Sequence, residues 1–280
     1  MNEEFLEIER TGFDAGVNPM FGEWRKTFSF PAVPYSSKAE AKKEFRERLR
    51  AELKTQFVFT HQVTLTATLY LNHEKVLETP EYGDLDNYAK QLCDSVKGKG
   101  GLLIDDCQIQ RIDISWIDVP KDPYFELELR GSPDDFASSD VALYEMGDGL
   151  FYPVSSSVWE LGKFVEVDVM NKQFQLRHLS TMTSVKRSLR HKVRQAGVPQ
   201  FRAFQLGLRV SPLQWAFHRT RVAESGFKLV SRAEWEAEYQ AWASAPESAE
   251  KAKFLSDSMA QYKELLEKFN DATAGAGKGG

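Results

Sequence analysis

Hydrophobic and polar residues alternate along the first 131 residues in a way that predicts four strands and two helices. Residues 24–30, 63–71, 108–118 and 125–130 place apolar side chains at every second position, the period of a half-buried strand. Two intervening segments repeat apolar residues every three or four positions, as on the buried face of a helix: Ala41, Phe45, Leu49 and Leu53, then Leu85, Ala89, Leu92 and Val96. The order β-α-β-α-β-β predicts an α+β domain over residues 1–131.

The second half has weaker patterns, which predict an α+β extension of unknown fold over residues 132–271. Residues 141–154 and 163–179 are typical of strands joined by glycine turns. A helix is predicted from Ser180, a candidate cap, to the residues before Gly197. The final residues, 272–280, have the glycine-rich composition of a disordered tail.

Composition is that of an ordinary globular protein. The 280 residues are 42% hydrophobic and 28% charged, enough for one large domain or two modest ones. No apolar run approaches the ~18 residues of a membrane-spanning helix, and the acidic N-terminus lacks the order of a signal peptide. Because Cys93 and Cys107 form no disulfide or metal-binding pattern, we expect a reducing, cytoplasmic setting and no membrane partner.

The charge is distributed unevenly despite a net charge of −5. From Val169 to Ala223 there is no Asp or Glu, while eleven Lys and Arg residues occur. This run favours a polyanion partner, and the alternative is a face that forms salt bridges with the acidic remainder of the chain. The residues that we expect to contact DNA in this run are Lys186, Arg187, Arg190 and Arg194.

Acidic residues cluster around the second predicted helix. Asp84 and Asp86 precede or begin it, and Asp86, Lys90 and Asp94 share one face because they are four residues apart. Carboxylates that converge repel one another unless a cation joins them. Oxygen ligands without His or Cys suit Mg²⁺, with Mn²⁺ possible, and such an ion can activate water for attack on a phosphodiester.

A second acidic group follows about twenty residues later. Asp105 and Asp106 come after the apolar run at residues 102–104, which we expect to form a strand beside the helix. The two acidic groups can therefore meet in space. The simpler alternative is that Asp84 and Asp86 only cap the helix.

The segment "DLDNYAK", followed by Asp94 and "IDDCQI", resembles the signature of RusA-like Holliday-junction resolvases, which is D-x-D-N-x-x-K, a helix and D-D-x-Q. The resemblance covers about residues 24–130. It implies a mixed sheet with flanking helices, a homodimer, and cleavage of branched DNA. The chain departs from the family in length, because family members are near the length of its first half alone.

The resemblance also implies roles for individual residues. Asp84, Asp86 and Asp106 would bind Mg²⁺, and Lys90 would be the catalytic lysine. Asn87, Asp94 and Asp105 would support them.

The sequence thus predicts a Mg²⁺-dependent, structure-specific endodeoxyribonuclease that resolves Holliday junctions or related branched DNA. Two alternatives stay open. One is a DNA-binding protein that keeps a resolvase-like fold without catalysis. The other is a phosphoesterase that acts on flaps, replication forks or RNA.

Overall fold

The computed structural model describes residues 22–53, 55–78, 84–120, 122–133, 135–160, 163–203 and 215–276. The chain divides into two compact units. Unit 1 holds the residues up to Val141 together with Ser157–Val165 and Thr220–Phe227, and unit 2 holds Ala142–Ser156, Glu166–Arg219 and the residues from Lys228 onward. The domain boundary expected near Gly131 stays a prediction.

Unit 1 is built on a four-stranded mixed sheet. In the described residues up to Val141, the strands of unit 1 are β1 (Glu23–Phe28), β2 (Phe57–Phe59), β3 (Val63–Leu71), β4 (Ile109–Asp118), β5 (Tyr124–Arg130) and β6 (Phe136–Ser138). The sheet has the order β1-β5-β3-β4, in which β3 and β4 are parallel and the other pairs antiparallel. Strands β2 and β6 form a separate antiparallel pair.

Three helices accompany these strands: α1 (Ala39–Leu53), α2 (His73–Glu78) and α3 (Leu85–Val96). The predicted apolar stripe of α1 is buried at Phe45, Leu49 and Leu53. Helix α3 buries Leu92 and Val96 as predicted, and Tyr88 joins them in the same core. The mixed sheet and its flanking helices confirm the predicted α+β class.

Among its described residues, unit 2 contains a three-stranded sheet and three long helices. The strands of this sheet are β7 (Ala142–Glu145), β8 (Phe151–Val154) and β11 (Lys228–Val230), in the order β11-β7-β8. The strands β9 (Ser157–Glu160) and β10 (Lys163–Glu166) form a separate pair, which belongs to unit 1 up to Val165. The helices are α4 (Val169–Gln195), α6 (Arg232–Ser244) and α7 (Ala249–Ala276). A further short helix, α5 (Arg219–Val222), leads into the part of unit 1 that begins at Thr220.

Two local predictions were wrong. Helix α4 begins at Val169 rather than Ser180, because the Asp168 carboxylate accepts a hydrogen bond from the backbone N–H of Asn171 and caps the helix there. Residues 102–104 form no full strand and make only isolated bridges through Leu103. Helix α7 continues to Ala276, and residues 277–280 of the expected tail lie outside the described residues.

Across the described ranges, none of the helices combines the length and the apolar character that crossing a membrane requires.

Candidate active site

The first two aspartates lie at the start of α3, and neither is used as a side-chain cap. Asp84 occupies the N-cap position, but its carboxylate accepts no capping hydrogen bond. The backbone carbonyl of Asp84 accepts the Asn87 N–H at 3.0 Å instead. Asp86 is exposed, and the Asn87 amide donates to its Oδ1 at 3.4 Å. The capping interpretation therefore does not account for the Asp84 side chain, which faces solvent.

Lys90 lies over an aromatic ring one turn further along α3. Its Nζ is 3.9 Å from the centroid of the Tyr35 ring, and Lys42 Nζ lies 4.3 Å from the same ring. The Tyr35 N–H donates to the Asn87 carbonyl at 3.0 Å, which fixes this segment against the helix start. Two ammonium groups thus flank one ring, a cation–π arrangement that concentrates positive charge beside the first aspartates. Tyr35 and Lys42 were not predicted from the sequence.

A tight turn of glycines, residues 98–101, reverses the chain after α3. Gly98 has a φ of +80°, and a Cβ there would lie 2.9 Å from the Ser225 carbonyl oxygen, so only glycine fits. The backbone N–H groups of Leu102 and Leu103 both donate to the Val96 carbonyl, at 2.7 and 3.0 Å. The turn therefore returns Asp105 and Asp106 to the C-terminal end of α3.

Asp105 is a buried acidic residue that accepts one hydrogen bond from the backbone and one from an arginine. It is 5% exposed, and its Oδ1 accepts the Cys107 N–H at 3.1 Å, which caps the short 3₁₀ turn Asp106–Gln108. The same oxygen accepts a hydrogen bond from Arg221 Nη1 at 3.0 Å. This contact raises the pKa of the arginine, so Arg221 stays charged beside the aspartate.

Gln108, the last residue of the motif, makes four hydrogen bonds with its side chain. Its Oε1 accepts the N–H groups of Ile104 and Asp105, at 2.8 and 3.1 Å. Its Nε2 donates to the carbonyls of Phe59 and His61, at 2.8 and 2.9 Å. The side chain is 0% exposed and ties the aspartate turn to the end of β2. Its role in this structure is to hold the two aspartates in place.

Asp106 is paired with cations. Its Oδ2 lies 2.6 Å from Lys97 Nζ, which also contacts Asp94 Oδ1 at 2.9 Å, and its Oδ1 lies 3.9 Å from Arg221 Nη1. Burial lowers the pKa of Lys97, but the hydrogen bonds to Asp106 and Asp94 outweigh it and the pKa is raised. Lys97 is therefore an ammonium ion bridging two of the predicted acidic residues.

These groups border a cavity of about 580 Å³ within unit 1. Arg46 and Arg50 also line it, and Arg50 Nη2 donates to the Lys97 carbonyl at 2.6 Å, satisfying a backbone acceptor at the end of α3. Thr220 and Arg221 come from the segment Thr220–Phe227, which the Lys99 N–H anchors by donating to Ser225 O at 2.7 Å. The cavity combines four cationic side chains with acidic ones, so it can contact a phosphate group.

The cysteine beside this cluster lies in surroundings that favour the neutral thiol. Burial raises the pKa of the Cys93 thiol to about 11, and the nearby Asp106 and Asp94 charges add to the effect. The thiol is therefore protonated near neutral pH and acts as a small packing group.

The structure brings together only part of the predicted set. Asp94, Asp105 and Asp106 surround Lys97 and Arg221, whereas Asp84 and Asp86 lie at the opposite end of α3. Asp86 precedes Lys97 by eleven residues, which is about 16 Å of helix axis.

The donor chemistry suits Mg²⁺, since all the candidate ligands are carboxylates, but the arrangement does not gather them. Within the described ranges no group of three or more His, Cys, Asp or Glu side chains is placed to hold a metal ion. A shared ion at Asp84, Asp86 and Asp106 therefore requires a change in this arrangement, and the metal site stays a prediction.

Unit 2 holds the four basic residues predicted to contact DNA. Arg187, Arg190 and Arg194 line a cavity of about 1010 Å³. Lys186 is 6% exposed and lies among the buried residues of α4, so it cannot reach a phosphate in this conformation. We therefore leave Lys186 out of the proposed DNA contacts. The assignment of the three arginines stays a prediction.

Comparison with known proteins supports the resemblance of the first half. Residues 16–130 match the family model described as Endodeoxyribonuclease RusA, which confirms the family resemblance read from the D-x-D and D-D-x-Q motifs. The match covers 41% of the chain and includes Asp84, Asp86, Lys90 and Asp106. No curated protein matches the sequence.

Proposed function

We propose, on the premise that residues 16–130 match the RusA endodeoxyribonuclease model, that the protein hydrolyses phosphodiester bonds in branched DNA. Four-way Holliday junctions are the proposed substrate. The observation that carries the proposal is the family match over a segment in which all four expected positions, Asp84, Asp86, Lys90 and Asp106, are present. The proposal includes Mg²⁺ as cofactor, or Mn²⁺ in its place, because the family resemblance implies it and carboxylates are its preferred ligands.

Two cationic groups of unit 1 support a role in phosphate binding. Lys90 is exposed and is held over Tyr35, so its ammonium group is free to meet a DNA phosphate while its position stays defined. Arg221 is about half exposed and is anchored by the buried Asp105. Its planar guanidinium can bind a phosphate through the N–H groups that face the cavity.

Arg221 also gives the second half of the chain a place in the proposed site. It follows the matched segment by more than ninety residues, yet it lies in unit 1 beside Asp105 and Asp106. The segment Thr220–Phe227 thus supplies a cation that the matched segment alone lacks at this position.

The proposed active form is a homodimer, because symmetric cutting of a four-way junction needs two sites related by a twofold axis. A surface on β4 supports this. β4 is an outer strand of the four-stranded sheet, and Ile112, Trp116 and Ile117 along it are exposed. A long, exposed apolar edge strand is suited to pairing with a second copy.

The test is cleavage of synthetic substrates by the purified full chain. A four-way junction, a flap and a plain duplex are incubated with Mg²⁺ or with EDTA. We expect Mg²⁺-dependent cutting of the junction, with Asp86→Asn reducing the rate by on the order of 100-fold or more while junction binding persists. Asp257→Asn, which changes an exposed aspartate on α7, serves as the matched control and should cut normally.

Each other outcome selects an alternative. A preference for flaps or RNA would replace the junction as substrate. Binding of the junction without cleavage of any substrate would indicate a DNA-binding protein and would contradict the enzymatic proposal.

A further inference from the structure

The cavity of about 1010 Å³ in unit 2, which we call the arginine cavity, has a lining that the proposed cleavage chemistry does not use. Three arginines, Arg187, Arg190 and Arg194, line it from α4. The first and the last of them are seven positions apart, or about 10 Å along the helix axis. This spacing sets several guanidinium groups in a row, as a run of phosphates along a strand requires.

The single acidic group among the described lining residues is already engaged. Asp148 Oδ2 accepts the Tyr152 hydroxyl at 2.7 Å, and its Oδ1 accepts the Leu150 N–H at 3.1 Å. Arg187 Nη1 donates to the Gly147 carbonyl at 3.0 Å, which orients this arginine at the mouth of the turn between β7 and β8. The cavity therefore carries a positive charge on a fixed framework.

An exposed aromatic ring completes the lining. Phe201 lines the cavity and is 71% exposed, so most of the surface of this apolar ring is in contact with water, which is unfavourable. Arginines beside an accessible aromatic ring are the combination with which proteins bind single-stranded nucleic acid, since the arginines meet phosphates and the ring stacks on a base.

The volume of the cavity, about 1010 Å³, lies at the upper end of the ~300–1,000 Å³ of pockets that enclose small ligands. Such a space can take up a few nucleotides. Stacking on Phe201 requires a base that is not paired, which favours a single strand over a duplex.

We propose that the arginine cavity binds an unpaired DNA strand, with Arg187, Arg190 and Arg194 on phosphates and Phe201 stacked on a base. The proposal rests on the proposed function for the presence of branched DNA, and it names the part of that substrate which unit 2 would hold. A flap carries such a strand at its branch point, whereas a four-way junction supplies one only when base pairs next to its branch point open.

The test is binding of a fluorescent oligothymidylate of about 12 nucleotides to the full chain in EDTA, measured by anisotropy across a salt series. We expect the double variant Arg187→Ala/Arg194→Ala to weaken binding about tenfold or more. The slope of the logarithm of the binding constant against the logarithm of the salt concentration should decrease in magnitude by about 0.7 for each arginine removed. Arg202→Ala removes the same charge next to Phe201 but outside the cavity lining, so its binding should match that of the wild type.

Phe201→Ala tests the stacking contact separately. We expect it to weaken oligothymidylate about tenfold, and to leave binding of an abasic oligomer of equal length unchanged. Circular dichroism checks folding of each variant, and Arg194→Ala alone carries the test if the double variant does not fold.

The proposal is overturned if the double variant binds oligothymidylate as tightly as the wild type, or if Arg202→Ala weakens binding equally. It is also overturned if inorganic tripolyphosphate displaces the oligomer while Phe201→Ala has no effect, which would indicate a small polyanion as ligand. Because binding is measured without metal, a failure of DNA cleavage leaves this result intact, and a failure here leaves the cleavage test intact.

Discussion

Gln108 is a residue of the family motif whose role is structural rather than chemical. Its amide links four backbone groups of two separate segments, and it has no exposed surface with which to reach a substrate. The effect is to fix the turn that carries Asp105 and Asp106. A buried group of this kind is hard to replace, because each backbone partner would lose its hydrogen bond and could not form one to water instead.

Gln108→Leu should therefore destabilise unit 1 strongly. The change leaves two buried N–H groups and two carbonyls without their partner, and we expect a loss of about 3 kcal/mol or more in the free energy of unfolding. Urea unfolding followed by tryptophan fluorescence measures the loss. Gln110→Leu, an exposed neighbour, should change the value by less than about 0.5 kcal/mol; equal losses in both variants would contradict the assigned role.

The sequence predicts some of the candidate site residues and not others, for a definable reason. The two acidic groups and Lys90 follow from local spacing and from the family motif. Lys97 could have been found as a partner of Asp94 three residues earlier on the helix. Arg221 could not, because it meets Asp105 across 116 residues of chain and nothing local marks such a contact.

At the scale of elements, α4 illustrates a boundary that the hydrophobic pattern alone does not define. The helix was predicted from Ser180, yet Leu176 and Leu179 continue its buried face towards Asp168, the actual cap. The turn after α3 is likewise predicted only in part from the sequence. The glycines predicted that the helix would end, but not that the returning chain would meet its C-terminal end rather than its start.

Helix α4 also buries a lysine, and this makes the stability of unit 2 depend on pH. Burial and, to a lesser extent, the charge of Arg190 lower the pKa of Lys186 from its ordinary 10.5 to about 8, against the opposing effect of Asp148. Between these two pKa values the unfolded chain holds a proton that the folded chain has released. The free energy of unfolding therefore rises with pH between about 8 and 10.5. Below about pH 8 the lysine is charged in the folded protein, and the full cost of burying that charge lowers stability.

Lys186→Met should consequently stabilise the protein at pH 7, and the gain should shrink as the pH approaches 10. Thermal unfolding at both pH values measures the difference. Lys192→Met, on the exposed side of the same helix, should give no pH-dependent gain. A gain for Lys186→Met that is equal at both pH values would show that this lysine does not titrate as the structure indicates.

At the scale of the whole molecule, the proposed homodimer is open to a direct test through β4. Ile112→Lys places a charge in the proposed interface, where it would be desolvated, so we expect dimer affinity to fall by about 100-fold. Analytical ultracentrifugation over a concentration series gives the mass. Leu265→Lys alters an exposed leucine on α7, and it should leave the dimer intact. A wild-type protein that stays monomeric at all concentrations would contradict this part of the proposal.

Asp84, Asp86 and Asp106 are proposed to bind one divalent ion together, and Mn²⁺ binding followed by electron paramagnetic resonance tests this proposal. In the described arrangement Asp106 is paired with Lys97, so binding requires the ion to replace that contact. We expect the full chain to bind Mn²⁺, and expect Asp86→Asn and Asp106→Asn each to weaken binding by at least about tenfold, while the control Asp257→Asn binds normally. If Asp106→Asn binds Mn²⁺ as tightly as the wild type, the three carboxylates do not share an ion.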